Sequence, residues 1–339
     1  MSTAALLYCA GGGIGDSLVA SVVARALRKR YDRVDALTLP GHRATLERCA
    51  DVDAVLVDDG ETVDELAKAV GERGYRACVV TWATARAARV ARTAGIPLRI
   101  GQARRLYSTM FTNRVLVRSE FGDVTSHWSD ILLDYARAID CDTAERIPSF
   151  VPTAADRDEA GALLGTIPAP FLILHPTNAI APRRGNWPVH GWSALASALR
   201  ERFDAAVLIS GSDADREITA QIEQAARDGQ SPQAQSRIMD IAGRLSIGGF
   251  GALAQRAKAF VGITTGSMHV AAAVGAPTVG IFPFQTDFPD RWAPLGHRTG
   301  VVRASFPCHR GDTKESCPDY ACIEKLDVPR IVAAVSAII

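Results

Sequence analysis

Long apolar runs are absent from this sequence. No stretch of 18 or more apolar residues occurs, so no membrane-crossing helix is expected. The opening stretch MSTAALLYCAGGG has no basic leader and only a short apolar run, which argues against a secretory signal. Excess charge is absent too. The formal net charge is +1, and no basic domain of the kind that binds nucleic acid stands out. Arginine far outnumbers lysine and alanine is abundant, which reads as genomic base composition rather than phosphate chemistry. An even set of cysteines is lacking as well. There are seven, and Cys9, Cys49, Cys78 and Cys141 are scattered, as suits reduced thiols in a cytoplasmic protein.

What is present is a globular chain of 339 residues, 47% hydrophobic and 22% charged, long enough for about two domains. Its first half alternates strands and helices. Strands are expected over Ala4–Ala10, Val34–Leu39, Ala54–Asp58, Ala77–Thr81 and Leu98–Gly101. Helices are expected over Ser17–Arg30, His42–Cys49, Thr62–Arg73 and Ala83–Thr93, with Trp128–Ile139 closing the half. Short apolar strands rich in Val and Leu suit a buried parallel sheet. A linker falls at Cys141–Thr153 or just after it, dividing the chain into 1–155 and 156–339.

The second half repeats the pattern. Strands are expected over Phe171–His175, Ala206–Ser210, Arg237–Ile241, Phe260–Ile263 and Thr278–Phe282. Helices are expected over Trp192–Arg202, Asp215–Arg227, Gly251–Arg256, Ser267–Val274 and Val328–Ile339, the last with the option of packing back on the first domain. Gly229–Ser236 reads as a polar mobile loop. The fold class is therefore α/β: two Rossmann-like, doubly wound halves facing a central cleft, the architecture called GT-B.

Three segments carry candidate chemistry. Gly11-Gly12-Gly13-Ile14-Gly15-Asp16 joins the first strand to the first helix. Glycines permit close approach of a ligand, and a helix start offers free N–H groups. A dinucleotide fingerprint fits badly, because its third glycine falls on Asp16 and no acid ends the second strand. Asp16 is either an N-cap or, at the carboxyl end of strand one, a general base. In the second half, Thr265, Gly266 and Ser267 open a small-residue helix after the strand ending in Thr264, and suit a diphosphate. His269 follows one turn in. Thr177 ends the first strand of this half, and Arg183 and Arg184 lie in the next loop, where guanidinium suits phosphate.

Taken in order, these segments resemble glycosyltransferase family 9, the ADP-heptose:lipopolysaccharide heptosyltransferase family. Gly15-Asp16 resembles its N-terminal GD motif, and Trp187-Pro188 with Trp192 its K-x-W-P loop. Gly211 followed by Asp215 resembles its G-x-x-x-E turn. Ile241-Ala242-Gly243-Arg244-Leu245-Ser246 resembles its A-G-K-x-S/T segment, and Thr265-Gly266-Ser267-Met268-His269 its D-T/S-G-x-x-H signature. The resemblance implies an inverting, metal-independent transferase that moves a sugar, heptose first among the candidates, from a nucleotide-diphosphate donor to an acceptor hydroxyl.

On that resemblance Asp16 is the general base, and Gly12, Gly13 and Gly15 form the acceptor-side loop. Thr177, Arg183, Arg184, Asp215, Leu245, Thr264, Thr265, Gly266, Ser267 and His269 line the donor site. The partners are an ADP-heptose-like nucleotide sugar and an acceptor glycan or small molecule. No cofactor and no nucleic acid are implied, and any membrane contact is peripheral. Two positions depart from the family pattern. Its acidic residue before T/S-G is Thr264 here, and its K-x-W-P lysine falls on Gly185. A degenerate relative that binds sugar nucleotide without turnover, or a nucleotide-sugar epimerase, is the alternative. Cys308, Cys317 and Cys322 form C-x8-C-x4-C, a spacing unlike common zinc modules, for which disulfide, free thiols and metal stay open.

Overall fold

The computed structural model describes residues 3–177, 187–284, 288–306, 317 and 321–339. The chain divides into two compact units, Met1–Val151 and Pro152–Ile339.

The first unit runs β1 (Ala4–Cys9), α1 (Ile14–Leu27), β2 (Arg33–Thr38), α2 (Arg43–Leu46), β3 (Val55–Val57), α3 (Val63–Gly71), β4 (Ala77–Thr81), α4 (Ala85–Thr93), β5 (Leu98–Gln102), β6 (Asn113–Val115) and α5 (Trp128–Arg137). Its six strands are all parallel, in the order β3-β2-β1-β4-β5-β6. Alternation along β1 shows why the sheet is covered on both faces. Ala5, Leu7 and Cys9 pack with α1 and α5, while Ala4, Leu6 and Tyr8 pack with α3 and α4. The order reverses between β1 and β4, so the carboxyl ends of these two strands form the topological switch point where ligands of open α/β sheets bind.

The second unit opens with α6 (Ala154–Leu164) and continues β7 (Phe171–His175), α7 (Val189–Phe203), β8 (Ala206–Ile209), α8 (Arg216–Arg227), α9 (Pro232–Gln235), β9 (Ile238–Asp240), α10 (Ile247–Ala254), β10 (Ala259–Ile263), α11 (Gly266–Ala273), β11 (Thr278–Phe282), α12 (Pro289–Trp292), β12 (Thr299–Arg303), α13 (Ala321–Glu324) and α14 (Val328–Ile338). Its parallel sheet has the order β12-β11-β10-β7-β8-β9, with the switch point between β7 and β10. The terminal helix α14 buries Ile331 and Val335 in this unit's core, against α7, β11 and β12.

Several features depart from the sequence reading, among them α12, α13 and the start of α10 at Ile247 rather than Gly251. The segment 229–236 is not simply a loop: it contains α9, capped by the Ser231 hydroxyl, with Pro232 in its first turn. Helix α6 was not expected, although Thr153 and Asp156 form a reciprocal capping box at its start. The edge strands β6 and β12 lack a clear strand pattern in the sequence; β6 has three residues and β12 carries a glycine and a surface valine.

Candidate active site

At the first unit's switch point the glycine loop packs against Asp16. Gly13 is the N-cap of α1, so Asp16 is not the cap itself; it sits in the first turn and its Oδ2 accepts the Gly13 N–H at 2.6 Å. Gly12 has φ +82, and a Cβ there would lie 2.7 Å from the Asp16 Cβ. Only glycine fits both the backbone and the space. Gly15 lies in the first turn of the same helix. Burial pushes the Asp16 carboxyl above its ordinary value, opposed by the Gly13 hydrogen bond and by the His42 charge. His42 is held by a 3.0 Å contact between its Nδ1 and the Ser17 hydroxyl, and burial lowers its basicity. A half-buried carboxyl with a raised pKa, beside a glycine floor, is a stronger proton acceptor than an exposed aspartate.

Sequence reasoning passed over the residue next to this loop. Trp82 follows β4, and β4 pairs with β1 so that Thr81 stands opposite Cys9. The Ala10 N–H donates to the Thr81 carbonyl at 3.2 Å. Trp82 is half-buried, has φ +48, and its ring lies 5.8 Å from that of Trp128. The only sequence signal was an aromatic directly after a buried strand, and its meaning depends on knowing that β4 neighbours β1.

At the second unit's switch point, β7 and β10 pair with His175 opposite Gly262. A Cβ on Gly262 would lie 2.8 Å from the His175 Cβ, so glycine is what lets the strands close up here. Thr177 follows β7, and Thr264 and Thr265 follow β10, so the two predicted segments come to one edge. Thr265 is the N-cap of α11, yet its hydroxyl makes no capping bond. The Thr177 and Thr265 hydroxyl oxygens are buried and find no hydrogen-bond partner among the described residues. Unsatisfied buried hydroxyls are uncommon and call for a partner. Half-buried Gly266 and Ser267 open α11, and His269 is buried within its first turn. The Thr264 hydroxyl reaches the Ile281 carbonyl at 3.4 Å.

Asp215 and Leu245 lie on the next two loops of the same edge. The Gly243 N–H donates to the Gly211 carbonyl at 2.9 Å and ties those loops together. The Asp215 carboxylate is used locally, accepting from the Ser212 N–H at 2.8 Å and the Ser212 hydroxyl at 2.6 Å. Half-buried Leu245 precedes Ser246, which caps α10 and is itself held by Glu159. His175 Nδ1 lies 3.0 Å from the Ser210 hydroxyl, and burial depresses its pKa to about 4, so the ring is neutral in the folded protein. Arg183, Arg184 and Gly185 lie outside the described residues, as does Cys308.

Four Asp-x-Asp pairs occur, at Asp51/Asp53, Asp140/Asp142, Asp156/Asp158 and Asp213/Asp215. Asp142 pairs with Arg137, and Asp156 accepts the Thr153 N–H at the start of α6. Asp51 and Asp53 pair with Arg25 and Arg28, and Asp213 pairs with Arg216 beside the Asp215 turn. Among the described residues no group of three or more His, Cys, Asp or Glu side chains is arranged to hold a metal. Cys9, Cys49, Cys78 and Cys141 are buried free thiols. Among the described residues no helix is long and apolar enough to cross a membrane.

The sequence profile of glycosyltransferase family 9 (heptosyltransferase) matches residues 63–320, well over half of the chain. The chain belongs to glycosyltransferase family 9. Lipopolysaccharide heptosyltransferase 1 of Pseudomonas aeruginosa is 30% identical over 181 residues, 51% of this chain; the match spans only 44% of that relative's length. Among solved structures, E. coli ADP-heptose lps heptosyltransferase II superposes with a TM-score of 0.79 at 20% identity, covering 99% of this chain and 98% of that one. The glycosyl transferase family 9 protein from Veillonella parvula DSM 2008 gives 0.83 at 14% identity, covering 99% and 97%. At such identities the likeness establishes the fold, that of the GT-B family 9 proteins with their two Rossmann-like units.

Proposed function

We propose that this family 9 protein transfers a sugar, heptose first among the candidates, from an ADP-linked donor to an acceptor hydroxyl with inversion at the anomeric carbon. The second unit is the donor domain and the first the acceptor domain. The acceptor oxygen attacks the anomeric carbon from the side opposite the diphosphate. Asp16 takes its proton, the glycosidic bond forms, and the bond to the diphosphate oxygen breaks, releasing ADP. The α11 N-terminus, with Thr265, Gly266 and Ser267, stabilises the negative charge on the departing diphosphate. Thr177, Arg183, Arg184, Asp215, Leu245, Thr264 and His269 complete the donor site. The reaction needs no metal, and the protein works in the cytoplasm on an acceptor glycan or small molecule, with peripheral membrane contact at most.

The observation that carries this reading is the pair of buried hydroxyls, Thr177 and Thr265, without partners among the described residues, beside the α11 start at the β7/β10 switch point. Those atoms are donors waiting for acceptor oxygens, which a diphosphate supplies. Calorimetry with ADP tests it. ADP binds the wild type, and Thr265→Val weakens binding about fivefold, the net worth of one hydrogen bond. The unliganded variant is as stable as the wild type or more so, since it loses an unsatisfied polar group. Equal ADP affinity in the variant would remove Thr265 from the donor site. Release of ADP from ADP-heptose, unaffected by EDTA, then tests turnover. Binding without turnover would favour the degenerate relative, to which Thr264 and Gly185 point; release with no acceptor present would favour the epimerase.

A further inference from the structure

The geometry points to Trp82 and Trp128 as the wall of a carbohydrate subsite beside Asp16, one that takes the C–H face of a pyranose ring. The inference rests on the transferase reading, and says which chemical class of acceptor the first unit receives.

The argument begins with two consecutive glycines. A Cβ on Gly12 would meet the Asp16 side chain, while a Cβ on Gly11 would lie 3.4 Å from the Trp82 Cβ and 3.7 Å from its carbonyl oxygen. Asp16 and Trp82 therefore stand over neighbouring positions of one short glycine floor. The floor is fixed to β4 by the bond from the Ala10 N–H to the Thr81 carbonyl.

Trp82 also carries backbone strain. A bulky side chain at φ +48 is a conformational outlier, and such residues persist where the surroundings hold them, often at ligand sites. Here packing does the holding. The Trp82 and Trp128 rings are 5.8 Å apart at an interplanar angle of 39°, and both rest on the core that α1 and α5 build on the sheet. Trp128 is the first residue of α5, just after the cap residue His127. Both tryptophans are only half-buried, so each keeps solvent-accessible surface.

A hydroxyl alone does not select a sugar. An indole does, because the axial C–H bonds of a pyranose present a weakly positive apolar face to the negative face of the ring. A ring stacked there has hydroxyls at its rim, within the neighbourhood of the Asp16 carboxyl. The wall thus orients the acceptor while Asp16 accepts its proton.

Saturation-transfer NMR tests the proposal with four probes: the methyl α-glycosides of D-glucose, D-galactose, D-mannose and L-glycero-D-manno-heptose, each with saturating ADP present. Ring C–H protons of at least one glycoside receive saturation from the wild type. The signal falls about tenfold in Trp82→Leu, is retained in Trp82→Tyr, and is unchanged when ADP is omitted. Should Trp82→Leu fail to fold, Trp82→Gly, which suits the left-handed backbone, gives the same loss. No transfer from any glycoside, displacement by ADP, or full signal in the leucine or glycine variant would overturn it. Failure of ADP itself to bind, read by calorimetry, sinks the transferase reading instead, so the two failures are separable.

Discussion

Gly12 and Asp16 occupy nearly the same space: a methyl group on Gly12 would stand 2.7 Å from the Asp16 Cβ and 2.8 Å from its Oδ2. The left-handed φ of +82 adds a second reason for glycine. Gly12→Ala should therefore cost about 2 kcal/mol of stability in the first unit and push Asp16 away from the Gly13 N–H. Gly60→Ala is the control. It shares a positive φ (+88) but has nothing within 4 Å of the new methyl, so it carries the backbone cost alone. Turnover should drop at least tenfold in Gly12→Ala and stay near wild type in Gly60→Ala. Equal turnover in the two variants, measured as ADP release, would show that the Asp16 position does not matter.

Asp16→Asn should lower turnover about 10²–10⁴-fold with ADP affinity changed little, since the amide keeps the size and an acceptor for the Gly13 N–H but takes no proton. The pH dependence has a definite sign. Burial raises the folded carboxyl above its unfolded value, so the folded protein binds the proton more tightly. The associated stability is fully present at pH below the unfolded value and is lost as pH rises through the folded one. At neutral pH the wild type carries a partly desolvated charge that Asn lacks. Asp16→Asn should then melt no lower than wild type at pH 7.5, with its relative advantage shrinking in acid. The wild-type rate should fall in acid along a limb displaced upward from the ordinary aspartate range. Near-wild-type turnover in the variant would assign Asp16 to helix capping alone.

Much of the fold was legible because its strands are short, apolar and separated by amphipathic helices, the pattern that Leu6, Leu7, Val79 and Val80 impose on neighbouring strands. Short or capped elements were less legible. Pro232 and Ser231 have the composition of a loop although together they start a helix, and β6 is three residues long at a sheet edge. The glycine loop and the α11 start were visible as motifs. Trp82 was not, because its proximity to Gly11 is created by the order β1-β4, a long-range fact that periodicity does not encode. The Thr177 and Thr265 hydroxyls, without hydrogen-bond partners among the described residues, are equally hidden in the sequence, since hydrogen-bond satisfaction is a property of packing.

His175 makes the switch-point edge of the second unit acid-sensitive. It ends β7, touches Ser210 at 3.0 Å and lies among Phe250 and Phe260, with ring centroids 6.4 and 6.1 Å away. Burial holds its pKa near 4, against an ordinary 6.5, with the Asp215 charge opposing weakly. Between those values the unfolded chain binds a proton that the folded one refuses, so stability rises with pH across that window and is lost as pH falls. The separation corresponds to about 3 kcal/mol in full, all of it present above pH 7 and gone by pH 4. His42, also depressed by burial, acts with the same sign in the first unit. The wild-type minus variant difference therefore isolates His175. In His175→Asn the unfolding free energy of the second unit should be lower at pH 7.5 but change less on going to pH 5. ADP titrated at pH 5 should restore part of the wild-type loss, because ligand bound only by the folded state adds stability. If urea unfolding gives the same pH slope in wild type and variant, His175 is protonated in the folded protein and the edge is not acid-sensitive through this residue.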